Sequence, residues 1–126
     1  MKLILLFSHT LTDEQVREAE DKLNVEEFIY LPQELQHIWS NIPPEGELPL
    51  DILDKFKRFI EQNANQGDYV LIQGDFGATY HMVQWVKENG FIPIYATSKR
   101  VYKSITNEDG SITNMHIFKH INFRRY

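Results

Sequence analysis

Apolar residues follow two different spacings along this chain, and where one gives way to the other marks its elements. Leu3-Ile4-Leu5-Leu6-Phe7 is a continuous β-rich run ending at Ser8-His9-Thr10, as expected of a strand buried on both faces over about residues 2–8. Thr12 stands three residues before Gln15, the spacing of a capping box, and Val16, Ala19 and Leu23 follow at helical intervals. Glu27-Phe28-Ile29-Tyr30-Leu31 predicts a second strand. Pro32 then opens a helix through Leu35, Ile38 and Trp39, which Pro43-Pro44 ends. Leu50, Leu53, Phe56 and Ile60 mark a further helix from Leu48 to about Asn63. After a turn at Asn65-Gln66-Gly67-Asp68, a third strand covers 69–73. Met82, Val83, Trp85 and Val86 resume helical spacing as far as the cap signal Asn89-Gly90. Ile92-Pro93-Ile94-Tyr95-Ala96 reads as a fourth strand, whose proline suits a sheet edge or a strand start.

The last quarter changes character. Val101 to Thr106 and Ile112 to Phe123 flank Asn107-Glu108-Asp109-Gly110, and Asp-Gly is a hairpin-turn signal. Strict alternation places Ile117, Lys119, Ile121 and Phe123 on one face, with Phe118, His120, Asn122 and Arg124 on the other. The sum is one α/β domain over residues 1–126: a Rossmann-like, three-layer architecture with a mainly parallel sheet and a C-terminal β-hairpin.

Composition narrows the possibilities. At 126 residues the chain suits a single core, and the absence of cysteine excludes disulfides, thiolate zinc sites and a cysteine nucleophile. The opening apolar run falls far short of the roughly 20 residues that span a bilayer, so a cytoplasmic protein with no membrane segment is expected. The net charge of −5 hides an asymmetry. From Lys99 to Tyr126 six basic residues face two acidic ones, a balance of +4, whereas residues 1–98 hold seven basic and sixteen acidic, a balance of −9. An acidic body argues against a long nucleic acid partner, while a basic segment upon it suits a small, compact polyanion.

Two junctions carry the candidate chemistry. Tyr69-Val70-Leu71-Ile72 runs straight into Gln73-Gly74-Asp75-Phe76-Gly77-Ala78-Thr79-Tyr80, a strand, a tight loop and a helix start. Such a junction offers free backbone N–H groups and the positive end of a helix dipole to an anion. The first strand ends in Ser8-His9-Thr10, and ligands of open α/β sheets collect along that edge. Neither G-x-G-x-x-G nor a P-loop is present, and Asp75-Phe76-Gly77 has the letters of a kinase motif without any other kinase element.

Phe7 to Thr12, Tyr30-Leu31-Pro32, Ile38 to Pro44, Gly67 to Tyr80 and Tyr95-Ala96-Thr97 together resemble a small CRISPR-associated family found beside type III systems. Phe118-Lys119-His120 and the tail Phe123-Arg124-Arg125-Tyr126 look like that family's ending. The resemblance implies a Rossmann-like homodimer related to cyclic-oligoadenylate-sensing domains. It further implies a ring nuclease that degrades this second messenger and switches off antiviral effectors. On that reading the loop residues Gln73, Gly74, Asp75, Phe76, Gly77, Ala78, Thr79 and Tyr80, with Ser8, Thr10 and Trp39, hold cyclic tetra-adenylate. Ser8 and Thr10 donate to phosphate; Trp39 or Tyr80 stacks on adenine. The neighbouring 2′-OH is itself the nucleophile, so the reaction calls for no metal or cofactor. His9 is expected to transfer a proton or stabilise charge, and Lys99 or Arg100, just past the fourth strand, to neutralise phosphate.

Plainer roles compete. His9 also suits a cap of the next helix, Asp75 a cap of its own, and Trp39 and Phe76 core or dimer contacts. His37, His81 and His116 share no spacing and are expected at the surface. Two rival functions share the fold: a non-cleaving cyclic-oligoadenylate sensor or sponge, and a nucleotide or sugar-phosphate enzyme in which Asp75 or Asp68 holds magnesium.

Overall fold

The computed structural model describes residues 1–126. In chain order its elements are β1 (Lys2–Leu6), α1 (Asp13–Leu23), β2 (Glu27–Tyr30), α2 (Gln33–Ser40) and α3 (Leu50–Asn63), then β3 (Tyr69–Ile72), α4 (Phe76–Glu88), β4 (Ile92–Thr106) and β5 (Ile112–Arg125). The strands form one sheet in the order β2-β1-β3-β4-β5. The first four are parallel, and β5 runs antiparallel to β4.

Neighbouring residues on the central strands feed two separate cores. Leu3, Leu5, Leu71 and Ile94 pack with Ala19 of α1 and Phe123 of β5, whereas Ile4, Leu6, Val70 and Ile72 pack with α2, α3 and α4. Both faces are therefore covered, which is why β1 and β3 read as unbroken apolar runs. Burying each such Leu or Ile is worth about 1.5–3 kcal/mol. The result is the expected three-layer α/β architecture. Because α1 leads outward from β1 to β2 on one face, while α4 leads outward from β3 to β4 on the other, the two windings diverge between β1 and β3. That divergence is a topological switch point, and a crevice opens at the C-terminal ends of the two strands.

Local chemistry sets the element ends. Thr12 caps α1 through a complete capping box, its hydroxyl accepting from Gln15 N at 3.2 Å and Gln15 Oε1 accepting from Thr12 N at 3.0 Å. Asp68 is buried at the opposite sheet edge from the switch point, where its carboxylate accepts from the amides of Lys2 and Asn65. The Asp-Gly turn forms as the sequence predicts, with Gly110 at φ +84°.

Three expectations need correction. β4 does not stop at Ala96; it continues to Thr106, and with β5 it forms a two-stranded arm that leaves the body. The strand is interior, between β3 and β5, and Pro93 is tolerated there because it sits at the strand start. A β-bulge also shifts the register, Thr97 facing Asn122 while Ser98 faces His120. The extra residue, Ile121, puts His120 and Phe123 on the same face, their rings 5.0 Å apart, where simple alternation had separated them.

The third correction concerns His81. It is not a free surface residue: it is half-buried on α4 and its Nε2 is buried without a partner. Burial, and then the Lys57 ammonium, hold its pKa below the usual histidine value of 6.5, with Asp54 and Glu88 opposing. The folded protein thus prefers the neutral ring, so this contribution is fully present above the unfolded pKa and is lost as pH falls through and below it. Stability measured by urea denaturation is expected to drop between pH 7.5 and pH 5.5, and His81→Asn should flatten that part of the profile. An unchanged slope in the variant would remove His81 as its source.

Candidate functional site

The crevice at the switch point is built from two loops, and hydrogen bonding decides which of their groups remain available. Gln73 is the keystone: its N–H donates to Leu6 O at 3.1 Å, its carbonyl accepts from Trp39 Nε1 at 3.0 Å, and its side-chain Oε1 accepts from Ala96 N at 2.8 Å. Since a backbone N–H can only donate, Oε1 must face Ala96, and the Nε2 amide is left as a donor without a protein partner. Ala78 N is taken by the Asp75 carboxylate at 3.0 Å and Thr79 N by Asp75 O at 2.8 Å. The amides of Gly74, Asp75, Phe76 and Gly77 have no protein acceptor. The anion-binding amides expected over 73–79 are therefore the four over 74–77, at the positive end of α4.

Ser8 and His9 line one cleft with Phe7, Gln73 and Gly74, so the two loops do converge. His9 is exposed, its ring set edge-on against Phe7 at 5.3 Å, and it makes no hydrogen bond to another side chain. Ser8 Oγ is hydrogen-bonded to Ser40 Oγ of α2 at 2.9 Å, and Thr10 is exposed beside it. On the other side of Gln73, a cleft of about 390 Å³ is walled by Phe76, Tyr80 and Tyr126 together with Thr79 and Val83. Phe76 is 94% exposed and Tyr80 67%, so both rings are free to stack. Thr79 Oγ1 is buried there without a partner.

Trp39 is not a stacking residue. It is 1% exposed, packs edge-on against Phe56 at 5.1 Å and spends its N–H on Gln73. A Cβ on Gly74 would meet its Nε1 at 2.7 Å, so Gly74 is required by this close approach. Asp75 caps α4, and Ala78 is fully buried, contributing packing rather than a ligand contact. Lys99 and Arg100 lie within the arm rather than in a loop after a strand, and their side chains alternate. Arg100 shares its face with Ser98 and His120; Lys99 points the other way, opposite Lys119. One protomer cannot aim both at one phosphate.

No group of three or more His, Cys, Asp or Glu side chains comes together as a metal-ligand set, and no helix is long and apolar enough to cross a membrane. The uncharacterized protein MJ1673 family matches residues 1–124. The chain belongs to that family. A relative from Methanocaldococcus jannaschii, uncharacterized protein MJ1673, is 53% identical over 125 residues, which cover 99% of this chain and 96% of the relative. No solved structure matches.

In this MJ1673-family chain the site has further members that the sequence did not single out. Thr12, Gln15, Thr97, Ser98, Phe118 and His120 line a cleft together with Phe7 and Gln73. His120 is fixed by a relay. Gln15 Oε1 is held by Thr12 N, so its Nε2 donates to His120 Nδ1 at 3.4 Å, leaving His120 Nε2–H to donate to Glu18 Oε1 at 2.6 Å. The second Glu18 oxygen accepts from Phe123 N at 2.7 Å. The bulge that turns His120 and Phe123 toward α1 leaves no signature in residue spacing, which is why this cluster was not legible. Tyr126 closes the opposite side, its hydroxyl donating to Ile72 O and its ring against Tyr95 at 4.8 Å. Burial, and then Tyr95, push its phenol pKa above the usual 10.0.

Glu18 thereby clamps the base of the arm to α1, with both side chains of the Glu18–His120 pair nearly buried. Glu18→Ala leaves two donors unpaired and should cost about 1–3 kcal/mol. Hydrogen exchange is expected to accelerate at the Phe123 amide while the β1 and β3 amides keep their protection. Unaltered exchange at Phe123 would show that the clamp does not hold the arm.

Proposed function

We propose that this protein is a cytoplasmic ring nuclease that binds cyclic oligoadenylate, with cyclic tetra-adenylate as the preferred ring, and cleaves it without a metal ion to silence type III CRISPR signalling. The observation that carries the reading is the switch-point crevice, where four unpartnered amides over 74–77 sit beside the Ser8–Thr10 loop and two exposed aromatic rings. Free amides at a helix start suit phosphate, and exposed Phe76 and Tyr80 suit the bases of a small polyanion. The resemblance of the 67–80 segment and the tail to the CRISPR-associated family supplies the substrate class, cyclic oligoadenylate.

The chemistry follows from the substrate. A ribose 2′-OH attacks the adjacent phosphorus, the P–O5′ bond breaks, and the products carry a 2′,3′-cyclic phosphate and a 5′-OH. The 2′ proton must leave and the 5′ oxygen must gain one. On this reading His9, at the Ser8–Thr10 side of the crevice, moves a proton or stabilises the charge of the phosphorane, and the amides of 74–77 share that charge. Arg100, on the face with Ser98, adds a cation, and Lys99 serves a ring held between two copies of the chain. A two-fold pair offers the crevice twice, matching a ring of four repeats.

A non-cleaving sensor or sponge is the second reading. It is favoured by one observation: no hydrogen bond to a side chain orients the His9 ring, unlike that of His120. The two readings separate at His9. His9→Ala is expected to lower single-turnover cleavage by about 10²–10³-fold while binding persists. A ring carrying 2′-deoxyadenosine should be bound and remain intact. Wild-type cleavage of that deoxy ring would contradict 2′-OH attack, and wild-type turnover by His9→Ala would take the role from His9.

A further inference from the structure

Three clefts open at the C-terminal ends of the central strands, and they share walls in a fixed order. The middle one, about 230 Å³, lies between the two loops and is lined by Ser8, His9 and Gly74. Gly74 also belongs to the aromatic cleft of about 390 Å³, with Phe76, Tyr80 and Tyr126. Phe7 links the middle cleft to a third, about 210 Å³, whose far wall is Thr12, Ser98 and Phe118. The outer two lie on opposite faces of the sheet. Val83 of the aromatic cleft packs on the core beneath α2, α3 and α4, whereas Phe7 and Ala96 of the third pack on the core beneath α1. Gln73 alone lines all three.

The chemistry changes along this trough. The middle cleft holds the free Gly74 amide and the exposed His9 ring, groups suited to a phosphate. No Lys, Arg, Asp or Glu lines either outer cleft, and both ring nitrogens of His120 in the third are engaged by Gln15 and Glu18. A phosphate in the middle therefore has a site for a neutral group on each side. The third cleft offers that group hydrogen-bond donors: the Thr12 hydroxyl, which accepts from Gln15 N and keeps its own proton, the Ser98 hydroxyl and Gln73 Nε2. A purine edge presents acceptors to match. Phe118, 71% exposed, adds a ring face on which a base can stack. In the aromatic cleft, the buried Thr79 Oγ1 has no protein partner, a need that the polar edge of a second base can meet.

We infer that a single chain binds one dinucleoside step, with the phosphate in the middle cleft, one adenine among Phe76, Tyr80 and Tyr126, and the other on Phe118 beside Thr12 and Ser98. The Phe118 cleft is thus a second base subsite, on the face of the sheet away from α4. Its ligand is two adenosines joined by one 3′–5′ phosphodiester, whether that step belongs to a ring or to an open chain. Gln73 is the pivot. Its oxygen is fixed on Ala96 N, so its Nε2 donors stand between the two bases. The lock of His120 onto α1 gains a purpose as well, since it holds the Phe118 end of the trough against the body. This deepens the preceding reading and rests on it only for the identity of the bases.

Amide chemical shifts of the full chain, titrated with the dinucleotide of 2′-deoxyadenosine, test it; that ligand has no 2′-OH and stays whole. Amides around Ser98 and Phe118 and those around Tyr80 and Tyr126 are expected to move together, at a midpoint about tenfold below that of 2′-deoxyadenosine monophosphate. Two analogues, each lacking one base, should each silence one of the two sets of shifts. Phe118→Ala removes an exposed ring and leaves the core untouched. It should weaken the dinucleotide about tenfold and leave unchanged the analogue without a base at that cleft. Shifts confined to the Tyr80 side, or a midpoint equal to that of the mononucleotide, overturn the second subsite. Cyclic tetra-adenylate that binds where the open dinucleotide does not overturns recognition of a single step and leaves ring cleavage to its own test. A dinucleotide seated in both clefts of a protein that never cuts the ring upholds the subsite and overturns cleavage alone.

Discussion

Gln73 ties together four elements at the point where the fold changes direction. Its amide closes β3 onto β1, its carbonyl fixes the Trp39 indole of α2, and its side-chain oxygen holds β4 through Ala96. Each bond is worth about 1 kcal/mol in isolation, but losing one leaves a buried partner unsatisfied at a cost of about 1–3 kcal/mol. The consequence is geometric as well as energetic. With the indole held, Gly74 can pass beneath it with no side chain, the chain turns sharply, and α4 begins with four amides unspent. The crevice exists because Gln73 uses its amide N–H, its carbonyl and its side-chain oxygen on the scaffold.

A second set of contacts governs the arm. Glu18, Gln15 and His120 lock its base to α1, and the bulge at Ile121 makes the lock possible by turning His120 and Phe123 to one side. The rigid part of the molecule therefore extends to Ser98, at the lip of the crevice, and the exposed ribbon starts just beyond.

Much of this was readable from residue spacing, and the exceptions have physical causes. Buried parallel strands such as Leu3 to Leu6 and Tyr69 to Ile72 declare themselves by unbroken apolar runs, and Thr12 with Gln15 announces the start of α1. Asp75 performs the capping role its residue type suggested. Trp39 misled because a large aromatic beside a loop fits stacking and core equally well, and only burial separates the two. Lys99 and Arg100 appeared to share a site because they are adjacent, yet in a continuous strand adjacency sends side chains to opposite faces. His120 and Glu18 stayed hidden for a different reason: their meeting depends on a bulge and on packing between elements about 100 residues apart, as with the separation of 102 between Glu18 and His120.

On the function we propose, the crevice binds a cyclic oligoadenylate and the ring's own 2′-OH cuts it. It is tested by a time course of the products formed from internally labelled cyclic tetra-adenylate with the protein in molar excess and EDTA present. The expected products are linear fragments ending in a 2′,3′-cyclic phosphate and beginning with a 5′-OH. A ring that stays intact, whether it travels with the protein or free of it, would overturn cleavage by this protein.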